Sequence, residues 1–147
     1  MKIAFGSDHA GFRLKKTVME HLAAQGHLCV DCGTDTDDTP ASYVPAAVQV
    51  ADKVNRKEAD FGVLICGTGL GISISANKVD GIRAALCTNE YMARMARQHN
   101  DANILAMGAR VVGTGVACAI ADAFFGETFE AGGRHQVRVN EMMELEK

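Results

Sequence analysis

The stretch from Val63 to Asn77 constrains the fold of this chain more than any other. It opens with Val63-Leu64-Ile65, an apolar run without polar alternation. Such a run reads as a strand buried on both faces, which is the signature of a parallel sheet. The run stops at Cys66; glycines follow at 67, 69 and 71, and then a segment that reads as a helix start. A strand ending in a glycine-rich turn before a helix aims backbone N–H groups into the crevice at the strand's carboxyl end. Open α/β sheets bind their ligands there. The sequence therefore sets a thiol beside N–H donors at the positive end of a helix.

Three familiar motifs come close, and each fails on a named residue. A dinucleotide fingerprint needs a glycine where Ile72 stands. A Walker loop needs a lysine, and none follows Gly71. A cysteine phosphatase would want an arginine behind the thiol, and Ile72 is there too. What survives is a cysteine facing an anion-stabilising nest with no nucleotide signature. The bland alternative is a buried cysteine beside a tight turn, the usual fate of a free cysteine.

The rest of the chain repeats the strand–helix alternation. Strands are expected at Lys2–Gly6, Leu28–Cys32, Phe61–Cys66, Arg83–Cys87 and Ile104–Met107. Helices are expected at Phe12–Gln25, Tyr43–Lys57, Gly71–Lys78, Glu90–His99 and Gly113–Phe125, with a further helix in the tail after Gly132-Gly133. Leu14, Val18, His21 and Leu22 share one helical face, and Met92, Met95 and Ala96 are expected to point inward. Five alternations imply an α/β, Rossmann-like three-layer sandwich: a five-stranded parallel sheet with helices on both faces and right-handed crossovers. A chain of 147 residues without a linker or internal repeat suggests one domain, residues 1–147.

Composition narrows the function. A net charge of −3 without a basic block argues against nucleic acid, and no apolar run is long enough to span a membrane. The N-terminus runs straight into a strand, so no signal peptide is expected and a cytoplasmic protein is. Five cysteines, an odd number, argue against a disulfide framework. Cys29 and Cys32 have redox-pair spacing, but within a strand they point to opposite faces. Cys87 and Cys118 read as core.

Polar residues collect where parallel strands end: Asp8 and His9 after strand one, Cys66 after strand three, Arg110 after strand five. His99 ends a helix, where the macrodipole favours the imidazolium; a group that both gives and takes protons near neutral pH suits acid–base work. Arg134 and Arg138 are four apart on the tail helix and can grip one phosphate from a single face. Such a helix can dock on a partner subunit and carry its arginines into the neighbour's crevice. A thiol, N–H donors, an imidazole and two arginines suggest proton transfer on a small phosphorylated carbonyl compound. With neither a metal cluster nor a nucleotide loop evident, no cofactor and no metal are expected.

At this point the sequence resembles the ribose-5-phosphate isomerase B family, which also contains galactose-6-phosphate and allose-6-phosphate isomerases. The resemblance runs almost end to end. It is carried by Gly6-Ser7-Asp8-His9-Ala10-Gly11, Ile65-Cys66-Gly67-Thr68-Gly69-Leu70-Gly71-Ile72-Ser73, Ala76-Asn77-Lys78, Gly81-Ile82-Arg83-Ala84, Arg97-Gln98-His99-Asn100-Asp101-Ala102-Asn103 and Gly132-Gly133-Arg134-His135. It implies that Cys66 is the base, that Thr68 assists proton movement on the sugar oxygens, and that His99 opens the sugar ring. Backbone amides of Gly67, Thr68, Gly69, Leu70 and Gly71 would hold the enediolate. His9, Arg134 and Arg138 would bind phosphate, with Asp8, Tyr43, Asn100 and Arg110 lining the sugar. Some relatives use a glutamate where Ile72 stands, which puts this chain in the cysteine-type branch. The resemblance also implies a homodimer, possibly a tetramer, with shared sites in which His99, Asn100, Arg110 and the tail arginines come largely from the partner. One position departs: the family often has Asp-Tyr-Pro where this chain has Ser42-Tyr43-Val44.

The expected function is thus interconversion of ribose 5-phosphate and ribulose 5-phosphate. Another phosphorylated sugar of six or four carbons stays open. So do two readings of other classes: a sugar-phosphate-binding module without turnover, and a thiol redox protein using Cys29 and Cys32.

Overall fold

The structure is a computed structural model, and it describes residues 1–146. Its strands are β1 (Lys2–Ser7), β2 (Leu28–Asp31), β3 (Phe61–Cys66), β4 (Ala84–Leu86) and β5 (Ile104–Gly108). Its helices are α1 (Phe12–Ala24), α2 (Tyr43–Asn55), α3 (Leu70–Asn77), α4 (Glu90–Gln98), α5 (Thr114–Phe125) and α6 (Arg134–Glu144). The strands form one five-stranded sheet in the order β2-β1-β3-β5-β4, with every ladder parallel.

The apolar runs are buried on both faces, as a parallel sheet requires. Phe5, Val63, Ile65, Leu105 and Met107 face α1, α4 and α5, and Phe124 packs among them. Ala4, Leu64, Ile104 and Ala106 face the other way, against Val50 of α2 and Ile72 of α3. Each large side chain so buried contributes about 1.5–3 kcal/mol of transfer free energy. The chain steps from β1 to β2 on one side, then crosses to β3 on the other. That reversal opens a crevice between the carboxyl ends of β1 and β3.

Some details differ from the sequence expectation. Met92 points outward at 39% exposure; Ala93, Ala96 and Arg97 form the buried face of α4 instead. Asn89 caps this helix by accepting the Met92 N–H at 2.9 Å, which fixes the rotation of its faces. Small alanines then let α4 lie close to α5. Cys118 is half-buried rather than core. Cys29 and Cys32 do pack on opposite sides of the sheet. Lys15, unremarked in the sequence, is fully buried. Its Nζ donates to Asp31 Oδ1 at 2.7 Å and to the Thr34 carbonyl at 2.6 Å, so the charge is paired where it is desolvated.

Helix α6 lies back on its own chain beside the β4 edge. The Gly81 N–H donates to Glu146 Oε1 at 2.8 Å, and Arg83 Nη1 donates to Met143 Sδ at 3.3 Å. His135 and Val139 are its buried residues, while Arg134, Val137 and Arg138 face outward.

Candidate active site

Cys66 is the last residue of β3 and is 3% exposed. The Gly69 N–H donates to its Sγ at 3.1 Å. That turn needs Gly69 in the left-handed region, at φ +81°, where side chains are strained. There is no room for one either: a β-carbon would come within 2.4 Å of Leu86 Cδ1 and 2.9 Å of the Met107 carbonyl carbon. The loop then enters α3 at Leu70, which sets the sulfur and its Gly69 donor near the helix's positive end.

The neighbours of the thiol arrive from three other segments. Tyr43 begins α2, which Ser42 caps by accepting the Val44 N–H at 3.1 Å. The Tyr43 ring then lies on Gly71, where a β-carbon would sit 2.3 Å from its Cζ. Arg110 follows β5; its N–H donates to the Gly67 carbonyl at 2.9 Å, and its guanidinium covers Gly67. Arg110 is therefore at hand within its own chain. Asp8, nearly buried, accepts the Gly11 N–H on Oδ1 at 2.9 Å and so shapes the loop after β1. His9 Nδ1 lies 3.0 Å from the Ala41 amide nitrogen and 3.3 Å from the Ala41 carbonyl oxygen, so the Ala41 backbone holds the ring through Nδ1. Thr68 is exposed, and its Oγ1 accepts the Leu70 N–H at 3.2 Å. Its hydroxyl proton is thereby left for a partner outside the loop. Asp8, His9, Tyr43, Cys66, Gly67, Thr68, Gly69, Leu70, Gly71 and Arg110 share the carboxyl edge of the sheet.

His99, Asn100, Arg134 and Arg138 do not join them. Helix α4 runs antiparallel to the strands for nine residues. His99 at its C-cap is consequently about 13 Å back along the helix from its start, at the amino edge of the sheet. There the His99 ring stacks on His135, centroids 3.8 Å apart and planes 9° from parallel. The turn that follows is clamped by two arginines. Arg97, 8% exposed, donates through Nη1 to the Ala102 carbonyl at 2.7 Å and to Asp101 Oδ1 at 2.9 Å. Its guanidinium lies over the Phe61 ring, 4.6 Å from the centroid. Arg83 donates to the carbonyls of Asn100 at 3.2 Å and Asp101 at 2.8 Å. Asp101 itself adopts φ +47°.

Sequence reading missed this clamp and the role of His135. The one available signal was the density of basic and amide residues around positions 97–103, which periodicity alone does not interpret. A cavity of about 640 Å³ is also at this end, between Asn77, Arg83, Ala84, Asn100, Met142 and Leu145. It is far from Cys66 and does not mark the thiol's chemistry.

His99, Glu130 and His135 bring their ligand atoms within 4.8 Å of one another. The two imidazoles are stacked, however, so their in-plane lone pairs lie in parallel planes that never meet. No single ion can lie in both, and the set does not fit a metal as it stands. The other cysteines suit thiolate chemistry poorly. Burial raises the thiols of Cys29, Cys32 and Cys118, and pushes Cys87 up to about 12. With Cys29 and Cys32 on opposite sheet faces, a redox pair is not assembled. Among the described residues no helix is long and apolar enough to cross a membrane.

Comparison with known proteins bears on the same residues. The model of the ribose/galactose isomerase family matches residues 3–142. Ribose-5-phosphate isomerase B of Escherichia coli K12 is 50% identical over 146 residues, covering 99% of this chain and 97% of the relative. The solved ribose-5-phosphate isomerase B of Clostridium thermocellum superposes with a TM-score of 0.96 at 51% identity, covering 99% of this chain and 97% of the other. A 4-deoxy-4-sulfo-D-erythrose isomerase from a Clostridium species is 42% identical over 124 residues, covering 84% of this chain and 78% of the relative.

Proposed function

Because this chain belongs to the ribose/galactose isomerase family, we propose that it interconverts ribose 5-phosphate and ribulose 5-phosphate without a cofactor. The observation that carries this reading is the hydrogen bond from the Gly69 N–H to Cys66 Sγ inside a glycine loop at the end of β3. That bond fixes the sulfur at the start of the loop, and the loop lies at the positive end of α3, where N–H groups suit a developing oxyanion.

In the forward direction Cys66 removes the proton from C2 of the open aldose. The electron pair forms the C1–C2 double bond of a cis-enediolate, whose negative oxygen rests on the loop amides. Thr68 passes a proton between the oxygens on C1 and C2, and the Cys66 thiol returns its proton to C1. Proton transfer by a positioned base is worth about 10²–10⁴ in rate. Tyr43, Asp8 and Arg110 bound the sugar at this edge.

Ribose 5-phosphate is mostly a closed ring, and opening it needs a group that gives and takes protons. His99 fits that task, but its own chain holds it at the opposite edge of the sheet. The reading therefore requires a second copy whose His99, Asn100, Arg134 and Arg138 meet the first copy's Cys66 and His9, in a homodimer with composite sites. His9, Arg134 and Arg138 grip the phosphate.

The test is isomerisation of ribose 5-phosphate by the native protein and Cys66→Ala. Turnover that falls about 10³-fold or more in the variant is expected; equal turnover in both would remove Cys66 from the mechanism. The four-carbon sulfosugar isomerase among the relatives favours a second reading, in which a shorter acidic sugar is the better substrate. Running erythrose 4-phosphate and allose 6-phosphate alongside decides between them. Ser42, beside Tyr43, is the first position to exchange if ribose 5-phosphate loses.

A further inference from the structure

His135 is the residue that the proposed chemistry leaves unused and that the structure holds most tightly against it. It sits in the first turn of α6, is 8% exposed, and lies flat on the His99 ring. Its Nε2 accepts from Arg134 Nε at 3.4 Å. Glu130 Oε2 stands 3.6 Å from the same nitrogen. A nitrogen that accepts from a guanidinium carries no proton, so the imidazole is neutral with its proton on Nδ1.

The charges around the ring act the same way. Burial disfavours a proton on it most, His99, Arg134 and Arg138 add to that, and Glu130 opposes. Two imidazolium rings stacked face to face would repel. A neutral ring beneath His99 instead offers its π-face to the imidazolium that forms when His99 takes a proton.

We propose that His135 is a positioning residue coupling the ring-opening imidazole to the phosphate grip: its ring holds His99 in plane while its Nε2 holds the Arg134 guanidinium. The inference rests on the roles given above to His99 and Arg134. Both contacts lie within one chain, so they are made before any substrate arrives. A protonated His135 would turn its Nε2 from an acceptor for Arg134 into a donor toward Glu130, releasing the arginine.

Two variants separate the two contacts. His135→Phe keeps a flat ring under His99 but removes the acceptor. His135→Gln keeps an acceptor near Arg134 but removes the ring. Two assays separate the steps. Isomerisation of ribose 5-phosphate needs ring opening. Exchange of the C1 hydrogen of ribulose 5-phosphate with deuterated solvent does not, because a ketose phosphorylated on O5 cannot close a five-membered ring.

His135→Phe is expected to raise KM for ribose 5-phosphate about tenfold with kcat held within about twofold. His135→Gln is expected to lower kcat for ribose 5-phosphate about tenfold with deuterium exchange unchanged. Either variant that folds tests its own contact. Identical behaviour of the two variants, equal loss in both assays, or no change in either parameter would overturn the proposal. His99→Ala is the control: it should lose isomerisation and keep exchange. Isomerisation that survives His99→Ala would instead overturn the role of His99 itself.

Discussion

At the carboxyl edge of the sheet Cys66 is held by backbone: the Gly69 amide on its sulfur, the Arg110 amide on the Gly67 carbonyl, and glycines where no side chain fits. At the amino edge His99 is held by side chains: the His135 ring beneath it and the Arg83 and Arg97 guanidiniums around the turn that follows. The first arrangement is rigid and intolerant. The second is a network whose members can be exchanged singly and should show graded, coupled effects. Fixed N–H donors suit a charge that develops at one place; a tunable imidazole and mobile cations suit a ring that opens and a phosphate that comes and goes. The two edges also lie too far apart in one chain to act on one sugar, so the comparison predicts a particular kind of dimer.

The sharpest way to break that prediction is complementation. Cys66→Ala and His99→Ala homodimers should each be nearly inactive on ribose 5-phosphate, by about 10²-fold or more. Co-expressed in equal amounts, half of the dimers are mixed. Each mixed dimer carries one site with both lesions and one with neither. Ribose 5-phosphate isomerisation should recover to about a quarter of native. If mixing recovers nothing, each site is built from one chain, and the separation of the two edges is not functional.

The intolerance of the carboxyl edge can be tested at two neighbouring glycines. At Gly69 an added methyl meets the Met107 backbone, and φ is positive. Gly69→Ala should cost about 2 kcal/mol or more, read as a fall in Tm. At Gly71 the obstacle is the Tyr43 ring, which is 38% exposed and can swing outward. Gly71→Ala should therefore cost under about 1 kcal/mol in stability but raise KM, because the ring that bounds the sugar is displaced. Equal Tm losses would mean that the loop as a whole, rather than these contacts, sets its rigidity.

The same contrast explains what could be read in the sequence. The parallel sheet, its buried strands and the loop after Cys66 were legible, because burial on both faces and glycine spacing follow from backbone geometry alone. Tyr43 and the role of Thr68 came from resemblance, and only the fold brings Tyr43 onto Gly71. The β2-β1-β3-β5-β4 order was not legible, since alternation fixes the layers and not the order. Met92 was misassigned because a short helix with Ala93 and Ala96 buries small residues that hydrophobic periodicity weighs lightly. The Arg83–Arg97 clamp and the His99–His135 stack were invisible, because they join side chains far apart in sequence or across a loop.

The smallest expected effect concerns pH and again divides the molecule. In the folded chain burial, His99 and Arg134 hold the His135 imidazole below its ordinary value. The unfolded chain takes a proton there near pH 6.5, while the folded chain takes it only at lower pH. Stability contributed by the neutral ring is therefore complete above about pH 6.5 and is lost as pH falls through the folded value. Near the other edge, the Arg13 guanidinium holds the Asp37 carboxyl below the usual carboxylate range. That contribution is present above about pH 4 and disappears only in stronger acid. Between about pH 7 and pH 5 the α6 end should loosen while the sheet does not. Amide-exchange protection factors should fall across Arg134–Glu144 and hold across Phe61–Cys66, a strand without a histidine. A uniform fall in both segments would mean that the two edges are one cooperative unit, and that the His135 proton is felt globally rather than at the stack.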